Sequence, residues 1–384
     1  MAGPRVLVTC YPQAGHLHPL VPTAAALRDA GCSVIVATHV SEHAGLALAG
    51  LDAIDIGPSH AEMSTRLPAE MPANVAALRP AERRAVLFGL LFGSLYAPAI
   101  VEPLLTHARS WRPHVILAGV ESLAGPLVAA RLGYPIVVSG FGTGLARDVC
   151  DGAARAVAPL WDAAGLTVPA AGGIFDGLFV DPCPPSLRPE DVALPARVQP
   201  IRPAQFDGEG NLPALPSGRP IVYVTFGTNQ RFASVQRLRT IAEAVDTAGG
   251  NAVITGMEPG DLGSLPGNAV AHRFVPQSRL LPHCAAVVCH AGASTFFGAL
   301  AYGTPLVVMP LSADHFANAA AGIRRGVAIP LATDADARTI TIAVRRALTD
   351  HDLRATSSSV AAEIAAMPSA AEAARGILTW LPQA

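Results

Sequence analysis

The sequence predicts an α/β protein made of two doubly wound domains in tandem. Three observations lead there. The chain has 384 residues, more than a single hydrophobic core comfortably serves. Strand-like apolar runs alternate with helix-patterned segments in two separate series, as parallel sheets with helical crossovers require. Between the series lies a proline-rich stretch that cannot hold a regular core element for long.

Each element follows from its local pattern. Residues 5–8 read as a first strand with no secretory leader before it. A loop containing Gly15 and a helix near 19–30 follow, then Gly31 as a stop signal and a strand at 33–38. Residues 85–101 are apolar apart from Ser94 and the phenol of Tyr96. That stretch falls short of the roughly 20 residues a spanning helix needs. It also contains Gly89, Gly93 and Pro98, so it reads as a buried helix or helix pair of a soluble chain. Strands at 115–118 and 136–139 flank a helix near 125–132. Prolines recur from Pro182 to Pro220, with Gly208 and Gly210 among them. This places a first domain at 1–203, a linker at 204–219 and a second domain at 220–366. In the second series, strands at 221–226, 252–255, 285–289 and 306–309 alternate with helices at 234–248 and 294–302. A helix at 339–348 follows, capped by Thr333 or Asp334, and the tail at 367–384 is helical beyond Pro368. Two α/β sheets in tandem predict a ligand cleft.

Composition narrows the function. Half the residues (51%) are apolar, 15% are charged and the net charge is −2, which leaves no basic stripe for a nucleic-acid backbone. Lysine is absent, and every basic residue apart from histidine is arginine. P-loop nucleotidases, pyridoxal enzymes and Schiff-base aldolases need that amine and are excluded. The six cysteines form no C-x-x-C pair, which fits reduced thiols and the cytosol.

The most informative segment is His290-Ala291-Gly292-Ala293-Ser294-Thr295, directly after a strand and directly opening a helix. Unpaired amides at a helix start, with the helix dipole, favour an anion. Ser294 and Thr295 add hydroxyls and His290 a ring donor, which together describe a diphosphate cradle needing neither lysine nor metal. An ordinary strand–turn–helix with Ser/Thr capping is the other reading of these residues alone. Around the cradle stand Phe226-Gly227-Thr228, Arg273-Phe274-Val275-Pro276-Gln277 and Ser312-Ala313-Asp314-His315-Phe316-Ala317-Asn318-Ala319.

These segments, in this order, resemble the bacterial GT-B glycosyltransferases that decorate polyketides, macrolides and other natural products. That family carries F/L-G-T, W-V-P-Q, H-G-G-x-G-T and A-D-Q-F-x-N-A in its second domain, and the resemblance spans essentially the whole chain. It implies two Rossmann-like domains facing across a cleft, the first binding the acceptor and the second the nucleotide sugar, with the C-terminal helix crossing back. It implies that Phe274 stacks on the base where the family usually has Trp, and that the backbone at Val275 reads the base edge. Thr228, His290, Gly292, Ser294 and Thr295 would bind the pyrophosphate, with Gly227 and Ala293 in the same donor set. Asp314 would hold sugar hydroxyls, and His315 stands where the family has Gln. Plant relatives place a ribose-gripping Glu eight residues after the cradle His, a position that is Gly298 here. This favours a dTDP-sugar over a UDP-sugar.

The family's G-H-x-x-P motif lands on Gly15, His16 and Pro19, and in relatives that His is the general base. A neutral imidazole removes the acceptor hydroxyl's proton near pH 7 as the oxygen attacks the anomeric carbon, and the cradle stabilises the departing diphosphate. His18 reads as structural, and the H-x-H pair lacks the ligands that would complete a zinc site. Many relatives orient the His with an Asp just after the strand equivalent to 115–118, where this chain has Gly119. Glu121 is the nearest replacement, and the other reading makes it an exposed loop carboxylate. Asp334-Ala335-Asp336 mimics a metal clamp but precedes a helix, where Asp caps. Gly140-Phe141-Gly142-Thr143-Gly144 mimics a dinucleotide loop without its full spacing and reads as a loop lining the acceptor site. Phe88, Phe92 and Tyr96 share a helix face and form core, or line the acceptor pocket together with Phe141. The expectation is an inverting transferase with no cofactor beyond the nucleotide-sugar co-substrate, no metal, no nucleic acid, no membrane insertion, and scope for a homodimer. A nucleotide-sugar epimerase of this architecture and a binding-only homologue are the alternatives.

Overall fold

A computed structural model describes residues 3–193, 195–227, 234–312 and 314–382. The chain divides into two compact units. The first comprises Met1–Cys183, Pro189–Arg202 and Pro368–Ala384; the second comprises Pro184–Arg188 and Pro203–Met367.

The first unit is built on seven strands: β1 (Arg5–Thr9), β2 (Ser33–Thr38), β3 (Asp52–Asp55), β4 (Val115–Gly119), β5 (Ile136–Ser139), β6 (Leu178–Asp181) and β7 (Val198–Pro200). They pair in the order β3-β2-β1-β4-β5-β6-β7, every pair parallel. Central strands of such a sheet are covered on both faces and therefore read as continuous apolar runs. Val6, Leu7, Val115 and Ile116 are fully buried. The edge strands β3 and β7 lack that signature. The proline-rich run read as boundary contributes β7, where Pro200 closes an edge strand without breaking an inner ladder.

The apolar stretch at 85–101 is part of one continuous helical run, Glu82–Trp111, of 30 residues, rather than a pair broken at its glycines. By length and composition it could cross a membrane, yet over half of its most apolar window is buried inside this unit. Its glycines serve packing. A Cβ at Gly89 would come within 2.9 Å of the Gly152 carbonyl oxygen, and one at Gly93 within 2.5 Å of the Ala156 side chain. Both neighbours lie on the helix Arg147–Ala163, which crosses closely there. Between Gly89 and Tyr96 the run widens into π-helix, which accommodates Pro98 just beyond it.

The second unit has six strands: β8 (Ile221–Thr225), β9 (Asn251–Thr255), β10 (Ala269–His272), β11 (Cys284–Cys289), β12 (Leu306–Val308) and β13 (Ala328–Pro330). Their order is β10-β9-β8-β11-β12-β13, again all parallel. Helix Ala337–Thr349 is capped by Asp336, whose carboxylate accepts from the Thr339 amide at 2.7 Å. The cap is therefore neither Thr333 nor Asp334, and this is the task of the D-x-D carboxylate at 336. Helix Ala370–Trp380 belongs to the first unit and packs on helix Val21–Asp29.

Candidate active site

In each sheet the strand order reverses beside the first strand: β1 lies between β2 and β4, and β8 between β9 and β11. Loops leaving the carboxyl ends of such neighbours diverge, and this is where open α/β sheets bind ligands. His16 and Glu121 follow β1 and β4, and Gly227, His290 and Gly292–Thr295 follow β8 and β11, whereas Phe141, Phe274, Val275, Asp314 and His315 follow β5, β10 and β12, and Phe88 and Phe92 lie on a helix.

After β1 the chain turns into a single helical turn, Ala14–Leu17. The Gln13 carbonyl accepts from the amides of His16 and Leu17, both at 2.9 Å, which fixes where the imidazole starts. The ring then sits among aromatic edges, with centroids 5.5 Å from Tyr11, 5.3 Å from Phe92 and 5.0 Å from Phe141. Its side chain is 16% exposed, while Glu121 is 0% exposed. That excludes Glu121 as an exposed loop carboxylate.

Glu121 Oε1 accepts from the Tyr11 amide at 3.2 Å. Oε2 lies 3.7 Å from His16 Nδ1, and neither atom has a hydrogen-bond partner among the described residues. At that separation the two atoms face each other without a hydrogen bond. Gly119 explains the arrangement. A Cβ there would lie 2.4 Å from Glu121 Oε1, so a side chain at 119 would displace this carboxylate from its present position. The carboxylate occupies the expected region but is supplied from two residues further along.

Phe88 and Phe92 are buried members of the first unit's core, and Phe92 also faces His16. Tyr96 is wholly buried and its hydroxyl donates to the Cys10 carbonyl at 3.1 Å.

At the second reversal the helix Ala293–Ala301 starts immediately after β11, with Gly292 as its N-cap and no side-chain cap. The amides of Gly292, Ala293, Ser294 and Thr295 donate to no protein group among the described residues, and the Ser294 side chain is exposed. Thr295 is different: it is buried, and its Oγ1 accepts from Gln277 Nε2 at 3.1 Å. Its hydroxyl also donates to Gln277 Oε1 at 3.5 Å, which leaves the amide as its open donor.

The His290 ring is wedged between two glycines. A Cβ at Gly227 would meet it at 3.0 Å and one at Gly292 at 2.4 Å, so both positions are glycine to admit the imidazole. Burial, and then the neighbouring His315, push the His290 pKa down to about 4. The His315 ring stands edge-on to His290, centroids 4.4 Å apart, and its own pKa is lowered by burial. His315 Nδ1 accepts from the amides of Ser312 at 3.1 Å and Leu311 at 3.4 Å, which puts its proton on Nε2. The ring is buried and ties down its own loop, a different placement from a residue reaching out to sugar hydroxyls.

Asn318, quoted in the sequence pattern without a role, is fully buried. Its Nδ2 donates to the Ala291 carbonyl at 2.9 Å and to Asp314 Oδ2 at 2.7 Å. Ala291 has φ +65°, an uncommon conformation for a residue with a side chain, and Asn318 anchors it. Phe274 is 50% exposed, whereas the Val275 side chain is buried, and its backbone has no protein partner among the described residues. Thr228 lies outside the described residues. Among the described residues no group of three metal-ligating side chains converges.

Comparison with known proteins identifies the family. The N-terminal domain of the family described as erythromycin biosynthesis protein CIII-like matches residues 25–213, and its C-terminal domain matches residues 239–379. The chain belongs to that family. It is 32% identical to the elloramycin glycosyltransferase ElmGT of Streptomyces olivaceus, over 98% of this chain and 97% of the relative. It is 33% identical to the L-demethylnoviosyl transferase of Streptomyces niveus, over 97% of each chain. Among solved structures, the glycosyltransferase SsfS6 of Streptomyces sp. SF2575 in complex with thymidine diphosphate superposes with a TM-score of 0.81 at 25% identity, covering 98% of this chain and 100% of that one. This family member is a glycosyltransferase of GT-B fold, and the transferase reading stands over the epimerase and binding-only alternatives.

Proposed function

We propose that the enzyme transfers a deoxysugar from a dTDP donor to a hydroxyl of a hydrophobic natural-product acceptor, with inversion, His16 being the general base. The observation that carries this is the buried Glu121 carboxylate facing His16 Nδ1. A proton held on Nδ1 toward that carboxylate leaves the Nε2 lone pair for the acceptor. As the acceptor oxygen bonds to the anomeric carbon, its proton passes to Nε2 and the bond from that carbon to the diphosphate breaks. Glu121 stabilises the imidazolium so formed, as the acid of a catalytic triad does. The leaving TDP carries the developing charge, and the open amides of Gly292–Thr295 together with the helix dipole would stabilise it. Gly227, the neutral His290 and the Ser294 hydroxyl complete that cradle, and Asp314, held by Asn318, is the sugar ligand. Phe274 offers a half-exposed ring for the base.

A relative named as an aclacinomycin-T 2-deoxy-L-fucose transferase supports a deoxysugar donor, the family's erythromycin-biosynthesis description supports an antibiotic-type acceptor, and SsfS6 was crystallised with thymidine diphosphate. Phe141 and Phe92 beside His16 are the aromatic wall for the acceptor, and Phe88 meets Phe92 edge-to-face behind it with centroids 4.9 Å apart. The six cysteines are all free thiols, which supports a cytosolic setting. Calorimetric titration with TDP, UDP and GDP tests the donor half, and TDP is expected to bind tightest. Mass spectrometry of a dTDP-sugar with a panel of aglycones tests the rest: a glycoside is expected, and an isomerised sugar or no product defeats the reading. Transfer should persist in excess chelator; its loss would bring a metal into the reaction.

A further inference from the structure

The segment 204–219 reads from sequence as a passive connection, yet part of it is fastened to the donor half at several points. Asp207 Oδ1 accepts from the Gln277 amide at 2.7 Å, and Oδ2 accepts from the Ser278 amide at 3.1 Å. The carboxylate thus caps the short helical turn Gln277–Leu280 from 70 residues away in sequence. Gln205 Nε2 donates to Gln277 Oε1 at 2.8 Å and to the Ser294 carbonyl at 3.3 Å. A carbonyl only accepts, so that contact fixes which end of the Gln205 amide faces the helix start. The amide lies over Gly298, where a Cβ would come within 2.2 Å of Gln205 Nε2; the missing side chain is what admits it. Gly210, at φ +149°, brings the backbone against Pro276 and the ring edge of Phe274, where a Cβ would stand at 3.0 and 3.5 Å. Gln277 carries the connection onward, its Nε2 donating to Tyr223 Oη and to Thr295 Oγ1, each at 3.1 Å.

We propose that residues 205–210 are a positioning strap that sets Phe274 and Val275 at a fixed distance from the Ser294–Thr295 helix start and so tunes affinity for the nucleoside part of the donor. This rests on the reading of Phe274 as the base platform and of the helix start as the diphosphate site. No strap residue touches a reacting atom. Asp207 acts through two backbone amides and Gln205 through Gln277 and Ser294. The nucleoside and the diphosphate are joined covalently, so a platform that drifts relative to the cradle loses one contact when the other is made. Binding of a bare diphosphate needs only the cradle and is insensitive to the drift.

The test uses the full chain with Asp207→Ala, Asp207→Asn and Gln205→Ala. Read out are the Kd of TDP, the inhibition constant of inorganic pyrophosphate, and donor KM and kcat. Asp207→Ala is expected to raise TDP Kd and donor KM about tenfold, as loss of a good helix cap implies. Its kcat should stay within about twofold, and its pyrophosphate constant should not change. Asp207→Asn keeps one of the two acceptor oxygens and should recover part of the loss. Gln205→Ala should give a smaller shift of the same kind, and it keeps the test decisive if Asp207→Ala does not fold. Unchanged TDP Kd in the variants overturns the strap, as does parallel weakening of TDP and pyrophosphate, which marks general loosening. A wild-type chain that does not bind TDP at all defeats the donor-site reading instead, so the two failures are distinguishable.

Discussion

The two strand-order reversals of this chain do opposite kinds of work with the same topology. The one between β1 and β4 gathers side chains: an imidazole, a buried carboxylate and a ring of aromatic edges. The one between β8 and β11 presents backbone, and its side chains serve that backbone. His290 and His315 are both shifted toward the neutral form, Gly227 and Gly292 clear space for a ring, and Asn318 holds Ala291 in its left-handed conformation. Proton transfer needs one titratable atom at one place, and a flexible side chain can deliver it from more than one position. Glu121 faces His16 Nδ1 across the gap that Gly119 leaves. Holding a diphosphate needs several donors at once, and only a rigid helix start supplies them without desolvating a fixed charge.

The sharpest way to break this contrast is His16→Ala. Loss of a general base costs on the order of a hundredfold to ten-thousandfold in turnover, while TDP affinity should not move, because the cradle contains no part of that site. Turnover near wild type at saturating donor would remove His16 from the mechanism. Glu121→Gln comes next. It keeps the shape and removes the charge opposite Nδ1, so kcat should fall about tenfold to a hundredfold with donor KM unchanged. The double variant Gly119→Asp with Glu121→Gly should recover part of that loss if only the carboxylate's location matters, and a double variant no better than Glu121→Gln would deny that the two positions are interchangeable.

At the backbone-built end, Gly292→Ala puts a Cβ 2.4 Å from His290 Nε2. Overpacking of that kind costs on the order of 1–3 kcal/mol, so TDP Kd should rise about tenfold or more while kcat at saturating donor stays put. A Kd equal to wild type would show that the ring yields freely. The mildest effect at neutral pH belongs to His290. Its folded pKa of about 4 lies below the ordinary histidine value near 6.5. Between those values the unfolded chain binds a proton that the folded chain refuses. Stability is therefore intact above about pH 6.5 and declines as the pH falls toward 4, by on the order of 3 kcal/mol in full. Denaturant midpoints at pH 7 and pH 5 should differ less in His290→Asn than in wild type, and equal differences would show that this ring is not the titrating group.

Much of the fold was legible because the inner strands of a parallel sheet are apolar on both faces. Runs such as Val6-Leu7-Val8 and Ala286-Val287-Val288 announce themselves. β3, β7, β10 and β13 did not, because each is short, lies at a sheet edge and takes its pairing from a neighbour's open edge more than from its own propensity. β6 was missed beside the prolines. Glycine spacing left a buried helix or a helix pair open in 85–101; the structure has one continuous run, in which Gly89 and Gly93 mark a close helix crossing. The site was legible in the residues whose place follows from one strand end, His16, His290 and Gly292, and less so where partners come from afar.

The chain's own order of residues determined the two α/β series, the lysine-free chemistry and the motif positions, since these depend on local periodicity and on residue type. Only tertiary structure decided that Glu121 folds back over Gly119, that Thr295 is bound to Gln277, that His315 ties down its own loop, and that Asp207 caps a turn 70 residues away. Each of these depends on which distant groups share a space, and that is set by packing and by the requirement that buried polar atoms find partners, which no local window of sequence contains.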